Sequence, residues 1–291
     1  MEKLLITDVW STIGQHLKSR YWDRFEIFDI SADLTNYDEV ESFILQTQPS
    51  FIIHLAEQYN IKNKYKLDTY GVKNTYGTVN LIKAAEKLSN FKLFTYHSVY
   101  DDYNTIQDYS KYFCEKIFEE KISNIPYCVL KLPTVYGDYV KPYLFNIGQF
   151  IEGTVKFDVL DRNFKIERII YEIKNKREIV INQNLHFQLL FIDDLLKLYD
   201  NIFDNIDSFK NTKLSVQYEN EYSIKEINEV FSEYMEGFPK ITTLEDFNPL
   251  EPPKQMNLSI IENWKPRVTL IEGAKILIDR INQFDKECNG L

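Results

Sequence analysis

Short apolar runs alternate, through the first half of the chain, with longer segments whose apolar residues recur at helical spacing. Five runs are typical of buried parallel strands: Lys3–Thr7, Phe25–Asp29, Ser50–Leu55, Lys92–Tyr96 and Tyr127–Leu132. The segments between them are predicted helices: Thr12–Arg20, Asp38–Gln46, Asn74–Leu88 and Asp108–Lys121. This alternation predicts right-handed βαβ crossovers and therefore an α/β fold, with a Rossmann-like, doubly wound parallel sheet covered on both faces.

The second half of the chain is less regular and predicts a smaller C-terminal α/β lobe. Its predicted strands are Phe157–Ile170 and Arg177–Ile181, and its predicted helices are Asp193–Phe203, Ser223–Met235 and Leu270–Phe284. Ser223 and Glu226 have the spacing of a capping box, and Asp193 with Asp194 is expected to cap the helix it begins. We expect residues 1–140 plus about 179–205 to form the Rossmann nucleotide-binding core, with 141–178 and 206–291 forming a substrate-type lobe.

Charge and composition exclude several classes of function. The formal net charge is -10, and an acidic surface repels phosphate backbones, so we do not expect nucleic acid as a partner. No apolar run approaches the roughly 18 residues of a membrane span, and the N-terminus lacks the features of a signal peptide. We therefore expect a cytoplasmic protein without a membrane partner, whose three cysteines are free thiols. Its four histidines lack ligand spacing, so no metal site is expected.

Nine segments, in one consistent order, resemble the motifs of a known family. They are KLLITDVWSTIG, DLTNYDEV, FIIHLA, NTYGTVNLIKAAEK, HSVYDD, SKYFCEK, LKLPTVYG, FIDDLLKLYDNIF and WKPRVTLIEGAKILID. Together they resemble the extended short-chain dehydrogenase/reductases of the NAD-dependent epimerase/dehydratase type, which modify nucleotide-linked sugars. The chain is similar to the dTDP-4-dehydrorhamnose reductases among them. The resemblance implies a Rossmann fold, an NAD(P) cofactor and a sugar-nucleotide ligand.

The phosphate-binding loop departs from the family pattern. The resemblance places Asp8, Ser11 and Gly14 where the family has three glycines, which permit a tight turn, close approach to the pyrophosphate and close helix packing. A carboxylate at Asp8 directs negative charge toward the pyrophosphate position, and its side chain is expected to crowd the turn. Asp29 and Asp33 occupy the family's acidic positions near the adenosine. We therefore expect no NAD(P) binding or weak binding, with NAD(P) as the cofactor if another group anchors it.

The catalytic positions depart as well. The family uses a Tyr as general acid/base, a Lys four residues later that holds the nicotinamide ribose and lowers the Tyr pKa, and a Ser or Thr that positions the sugar. The resemblance places Lys111 at the lysine position, Gln107 at the tyrosine position and Tyr96 at the Ser/Thr position. A glutamine amide cannot transfer a proton near neutral pH. The sequence therefore predicts impaired catalysis.

Several groups could compensate. The segment between Asp101 and Gln107 is shorter than in relatives and is expected to leave the site open. The residues that could replace the catalytic groups are Tyr96, Tyr103, Tyr109 and His97. The family's diphosphate-binding arginine is missing from NQNLHFQLLFIDD, and the arginines that could replace it are Arg162, Arg168, Arg177 and Arg267.

Three functions remain open. We expect a degenerate, catalytically impaired family member that binds a sugar nucleotide or other small ligand, as a binding or regulatory subunit linked to sugar-nucleotide or surface-polysaccharide metabolism. The first alternative is an active NAD(P)-dependent epimerase, dehydratase or 4-keto reductase with displaced catalytic residues. The second is a site for a different ligand without redox chemistry. The resemblance also implies a homodimer formed by helices equivalent to Asn74–Leu88 and Asp108–Lys121, or a heteromeric enzyme partner using the same face.

Overall fold

The computed structural model describes residues 1–57, 69–98, 106–120, 124–137, 149–151, 154–157, 178–181, 186–216, 221–234, 242–243 and 264–289. Its helices are α1 (Thr12–Tyr21), α2 (Tyr37–Thr47), α3 (Thr69–Ala85), α4 (Ile106–Glu119), α5 (Ile192–Asp204), α6 (Ile206–Phe209), α7 (Ile224–Ser232) and α8 (Leu270–Asn289). Its strands are β1 (Glu2–Thr7), β2 (Phe25–Phe28), β3 (Phe51–His54), β4 (Leu93–Ser98), β5 (Tyr127–Lys131), β6 (Thr134–Tyr136), β7 (Gln149–Ile151), β8 (Thr154–Phe157), β9 (Glu178–Ile181), β10 (His186–Phe191), β11 (Thr212–Ser215), β12 (Glu221–Ser223) and β13 (Thr242–Thr243).

The chain divides into two compact units. The first comprises Met1–Leu132, Leu196–Val216 and Gln255–Trp264, and the second comprises Pro133–Leu195, Gln217–Lys254 and Lys265–Leu291. Strand β11 belongs to the first unit, although it lies in the range that we assigned to the smaller lobe.

The first unit is built on a parallel sheet of six strands. Their order is β11-β5-β4-β3-β1-β2, and every described pairing is parallel. The strand order reverses beside β1, since β2 lies on one side of it and β3 on the other. In open α/β sheets this switch point is where ligands bind, at the carboxyl ends of the strands. The fold therefore places the ends of β1 and β3 at the candidate site.

Helices cover both faces of this sheet, which confirms the doubly wound α/β prediction. On one face, alternate strand residues such as Leu5 and Phe94 pack against α2, α3 and α4 in a continuous apolar cluster. On the other face, Phe25 and Phe51 contact Phe203 of α5, with ring centroids 4.8 and 5.3 Å apart. Because successive strand residues point to opposite faces, runs that are apolar at every position are buried on both sides.

The second unit holds the remaining sheets. One has the order β12-β10-β6, and the other has the order β13-β9-β8-β7. The predicted strand at Arg177–Ile181 is present as β9. The prediction for Phe157–Ile170 falls largely outside the described residues, with Phe157 at the end of β8. Ser223 caps α7 in a capping box with Glu226, as predicted.

The expected capping role of Asp193 and Asp194 is wrong, because both lie inside the first turn of α5 and bind other segments. The buried Asp194 carboxylate accepts hydrogen bonds from the backbone N–H groups of Arg267 and Val268, each at 2.7 Å. Asp193 forms an ion pair with Arg280 at 2.9 Å. The two acidic residues therefore connect the start of α5 to α8 and the segment before it.

Among the described residues, no helix has both the length and the apolarity needed to cross a membrane.

Candidate functional site

The loop that follows β1 is a tight turn built around Asp8. Asp8 has a φ of 63°, in the left-handed region, which Asp tolerates better than most residues other than glycine. The Ser11 N–H donates to the Asp8 carbonyl oxygen at 3.0 Å. The expectation that Asp8 crowds this turn is therefore wrong, since its backbone adopts the conformation that the turn requires. Its side chain is exposed.

Helix α1 begins immediately after this turn and packs closely against it. A Cβ at Gly14 would come within 2.8 Å of Val9 Cα and closer still to the Asp8 carbonyl oxygen. Real Cβ atoms do not approach backbone this closely, so only glycine fits there. Of the three positions at which the resemblance predicts glycine, Gly14 is a glycine, and its lack of a side chain permits the close packing of α1.

Ser11 uses its side chain within the loop. Its hydroxyl donates to the Asp8 carbonyl oxygen at 2.7 Å and accepts the Gly14 N–H at 3.2 Å, as the N-cap of α1. N-terminal N–H groups of a helix are natural donors to phosphate. Here the Gly14 N–H is already bonded to the Ser11 hydroxyl. A glycine at position 11 has no hydroxyl and would leave this N–H available to a ligand.

Of the two acidic residues that we predicted at the adenosine end, Asp29 contacts the loop after β1 and Asp33 does not. Asp29 follows β2, and its Oδ1 lies 3.4 Å from the backbone nitrogen of Val9, which donates to it. Asp33 is exposed and accepts from the Thr35 N–H and hydroxyl at 2.9 and 2.8 Å. These bonds lower the pKa of Asp33. Asp29 thus faces the β1 loop, whereas Asp33 stabilises its own turn.

Tyr96 lies in the core and is not placed for proton transfer. It is 6% exposed, and its ring packs on those of His54 and Phe118, with centroids 5.8 and 5.9 Å apart. Burial raises the pKa of Tyr96 well above its ordinary value, and the neighbouring Cys114 adds to the shift. A phenol held neutral in apolar surroundings is a poor general base. The hypothesis that Tyr96 replaces the family acid/base is therefore disfavoured.

Lys111 reaches the carboxyl edge of the sheet, where it is paired with a residue that sequence reasoning missed. Its Nζ lies 2.9 Å from Oε2 of Glu57 and 3.4 Å from the His97 carbonyl oxygen. The same ammonium lies 5.9 Å from the centroid of the Tyr96 ring. Glu57 comes three residues after β3. The only signal for it in the sequence is a charged residue directly after the apolar run FIIHLA.

A buried polar network crosses the sheet next to this pair. His54 at the end of β3 bonds through Nδ1 to the Thr7 hydroxyl at 2.8 Å and through Nε2 to the Thr78 hydroxyl at 3.0 Å. The Thr7 hydroxyl also accepts the N–H groups of Leu55 and Ala56, both at 2.9 Å. Burial lowers the pKa of His54 to about 3, with a further contribution from the Lys111 charge. His54 is therefore a hydrogen-bonded core histidine, neutral near pH 7.

His97 was the histidine that we considered as a possible replacement proton donor. Its Nε2 is 2.5 Å from the hydroxyl of Tyr199 on α5. Burial, and next the charge of Lys111, lower the pKa of His97 to about 3. The imidazole is therefore neutral near pH 7 and engaged with Tyr199, which disfavours a role as general acid.

A second charged cluster that the sequence did not reveal joins α4 to β4, β5 and β11. The Ser98 hydroxyl donates to Glu115, and Lys131 and Lys213 lie 3.3 and 2.6 Å from the same carboxylate. Glu115 and Lys131 are 0% and 1% exposed. Although burial opposes its charge, the bonds to Glu115 and Glu119 raise the pKa of Lys213. This cluster lies within the core and fastens the edge strand β11.

Other predicted residues take no part in the described site. Tyr109 is 51% exposed on α4, and Arg267 is exposed in the second unit. For Gln107 in α4 and His186 in β10, the structure describes the backbone but not the side chain. Outside the described residues lie Tyr103, Arg162, Arg168 and Arg177, together with the segment that we expected to be shortened, except Ile106 at the start of α4. Among the described residues, no three His, Cys, Asp or Glu side chains are grouped so that they could hold a metal ion.

In the described part of the chain, carboxylates therefore follow β1, β2 and β3 at the carboxyl edge of the sheet, and one of them is paired with an ammonium. Asp8, Asp29 and Glu57 follow β1, β2 and β3, and Lys111 reaches Glu57 from α4. The arrangement can hold an ammonium rigidly and can offer carboxylate acceptors to hydroxyl groups. It offers less to a diphosphate, because the carboxylates repel it and the Gly14 N–H at the start of α1 is already bonded to the Ser11 hydroxyl.

Comparisons with known proteins agree with this architecture. The model of the NAD dependent epimerase/dehydratase family matches residues 15–216. A GDP-6-deoxy-D-talose 4-dehydrogenase from Aggregatibacter actinomycetemcomitans is 36% identical over 97 residues, which span 31% of this chain and a third (33%) of that relative.

Solved structures of similar fold cover nearly the whole chain. UDP-glucose 4-epimerase from Thermotoga maritima, solved with UDP-glucose, has a TM-score of 0.74 at 14% identity and covers 97% of this chain and 99% of its own. WbmG from Bordetella bronchiseptica, solved with NAD and UDP, has a TM-score of 0.74 at 17% identity and covers 97% and 95% of the two chains. At these identities the likeness shows a shared fold.

Proposed function

The chain belongs to the NAD dependent epimerase/dehydratase family, and from this premise we propose that it is a catalytically impaired member. In this proposal it binds a sugar nucleotide or another small ligand, with no NAD(P) or weakly bound NAD(P). It acts as a binding or regulatory subunit linked to sugar-nucleotide or surface-polysaccharide metabolism.

The observation that carries this proposal is the state of the two described catalytic positions. The Tyr96 ring is buried in the core, and its pKa is raised by that burial. The Lys111 ammonium, which the family uses on the ribose, is held by Glu57 at 2.9 Å. With Gln107 at the tyrosine position, no proton-transferring group is provided by the three family positions. The hydrogen bond from the Gly14 N–H to the Ser11 hydroxyl is a second argument for weak phosphate binding, because it occupies a donor at the start of α1.

The second candidate is an active NAD(P)-dependent epimerase, dehydratase or reductase. Two observations favour it: the close packing at Gly14 is kept, and a 97-residue segment is 36% identical to a GDP-sugar dehydrogenase. In that case the acid/base group comes from outside the three family positions, and Lys111 must break its ion pair with Glu57 in order to contact the cofactor.

Calorimetric titration with NADH and NADPH, followed by assay with UDP- and GDP-linked sugars, separates the two candidates. We expect no dinucleotide binding below millimolar concentration and no change in nicotinamide absorbance with any sugar. Micromolar binding together with turnover that disappears in Lys111→Ala would establish the active enzyme instead.

We also propose a homodimer formed by α3 and α4. These two helices pack side by side, and together they expose the large apolar side chains of Val72, Tyr76, Tyr109 and Phe113, each at least half exposed. An exposed apolar patch of this kind marks an interaction surface. A heteromeric enzyme partner on the same face is the alternative.

Two further assignments are proposals. We assign the nucleotide-binding core to residues 1–140 plus about 179–205, and the substrate-type lobe to 141–178 and 206–291. We infer a cytoplasmic location, supported by Cys114 and Cys128, which are buried free thiols, as expected in a reducing compartment.

A further inference from the structure

The ion pair between Glu57 and Lys111 occupies the position in the sheet where a ligand is expected. Glu57 follows β3, and the carbonyl oxygen that Lys111 also contacts belongs to His97, one residue before the end of β4. Both side chains are largely shielded, with exposed fractions of 10% for Glu57 and 17% for Lys111. Open parallel sheets bind their ligands at this edge, beside the switch point.

Shielding strengthens the attraction between the two groups, since solvent and salt screen a partly buried pair less than an exposed one. A neutral hydroxyl that approaches the ammonium has to replace a charged acceptor, and an ion-to-ion hydrogen bond is stronger than an ion-to-hydroxyl bond. An incoming phosphate could match the carboxylate as an acceptor, but it would meet the negative charge of Glu57 at close range. The pair therefore opposes both parts of a dinucleotide.

We propose that Glu57 is an internal counter-ion that occupies Lys111 and excludes dinucleotides from this edge of the sheet. It is a positioning residue, because it acts through the lysine. The inference rests on the proposed function, since it names the residue that keeps the site from binding NAD(P). It also makes the loss of cofactor binding reversible by a single substitution.

Calorimetric titration of NADH into four proteins tests the idea: the natural chain, Glu57→Gln, Lys111→Gln and the double variant. Glu57→Gln keeps the shape and removes the charge, so we expect it to bind NADH at least tenfold more tightly than the natural chain. Lys111→Gln alone should bind NADH no more tightly than the natural chain, because it removes the ammonium and leaves the Glu57 carboxylate in place. The double variant should lose the whole gain.

Asp204→Asn is the matched control, because it removes a carboxylate from the exposed pair with Arg24 in the same unit. It should leave NADH affinity unchanged, which separates the effect at Lys111 from that of net charge. Circular dichroism and thermal unfolding establish that each variant is folded. If Glu57→Gln does not fold, Glu57→Ala is titrated in its place, and failure of both to fold would assign Glu57 to stability and overturn the proposal.

The outcomes for this inference and for the proposed function are distinct. Micromolar binding of NADH to the natural chain overturns the proposed function. A natural chain that does not bind, together with a folded Glu57→Gln of equal weakness, overturns only the role of Glu57. Tighter NADH binding that persists in the double variant would also overturn the role of Glu57, because the affinity would then not depend on Lys111.

Discussion

Gly14 lies directly against the carbonyl group of Asp8, so that the start of α1 and the turn after β1 leave no space for a side chain. The clash that a Cβ would meet is with backbone atoms, which cannot rotate away as a side chain can. Close packing of this kind makes the loop a rigid support for whatever binds beside it.

Gly14→Ala is therefore expected to destabilise the protein by about 3 kcal/mol, at the upper end of the usual cost of overpacking. Urea unfolding followed by circular dichroism measures the change. Ser19→Ala, at an exposed position of the same helix, is the control and should alter stability by less than about 0.5 kcal/mol. Equal stability of Gly14→Ala and the natural chain would contradict the close approach.

Asp8 offers a test of backbone conformation that is independent of its charge. Its φ of 63° costs an ordinary L-residue about 1–2 kcal/mol, whereas glycine adopts it freely. Asp8→Ala should therefore lower the free energy of unfolding by about 1 kcal/mol, while Asp8→Gly should not lower it.

The same two variants separate charge from geometry in ligand binding. Both remove the carboxylate, so both should bind NADH more tightly than the natural chain if repulsion at this turn weakens the phosphate site. Titration calorimetry measures the affinities. A gain in Asp8→Gly alone would show that the turn conformation, and not the charge, limits binding.

Stability should fall as the pH is lowered through the titration range of histidine. Burial depresses the pKa values of His54 and His97 to about 3 in the folded protein, against about 6.5 in the unfolded chain. Below pH 6.5 the unfolded state binds more protons than the folded state, so acid favours unfolding. Each histidine should contribute a loss of about 1 kcal/mol per pH unit between pH 6.5 and pH 3.

Urea unfolding at pH 7.0, 6.0 and 5.0 measures how steeply stability falls with pH. His54 and His97 should contribute equally to this slope, so His97→Asn should remove about half of their joint contribution. Tyr199→Phe is the control: it removes the hydroxyl that bonds to His97 but keeps the histidine, so stability should fall at every pH while the slope remains. An unchanged slope in His97→Asn would refute the buried, neutral imidazole.

The proposed dimer predicts that charge on the exposed apolar face of α3 and α4 produces monomers. Tyr76→Glu combined with Phe113→Glu should halve the mass in solution, measured by light scattering after gel filtration. Ile271→Glu introduces the same charge at an exposed apolar position on α8 and should leave the mass unchanged. A natural chain that is monomeric at micromolar concentration would remove the basis for this interface.

The core strands could be predicted because their signal is local. In β1, β3 and β4 nearly every residue is buried, so the apolar run in the sequence coincides with the strand. Strand β11 was missed because it is a short edge strand in which only Leu214 is fully buried. An edge strand has one neighbour, and its remaining residues can be polar.

The candidate site could be predicted only where a motif placed a residue. Lys111 was found in this way, but Glu57 was not, because an ion pair between residues so distant in the chain leaves no local pattern. The roles of Asp193 and Asp194 were misassigned for the same reason, since Arg267, Val268 and Arg280 approach them only in the folded chain.

The late position of β11 in the chain has a consequence for synthesis on the ribosome. Strand β5 pairs with β11, and the rings of Phe25 and Phe51 contact Phe203 of α5. Both α5 and β11 leave the ribosome long after β5. Until about residue 216 has left the exit tunnel, the nascent chain presents an open strand edge and uncovered aromatic rings. Such surfaces promote aggregation, so stalled nascent chains ending before Thr212 should depend on chaperones that the finished protein does not need.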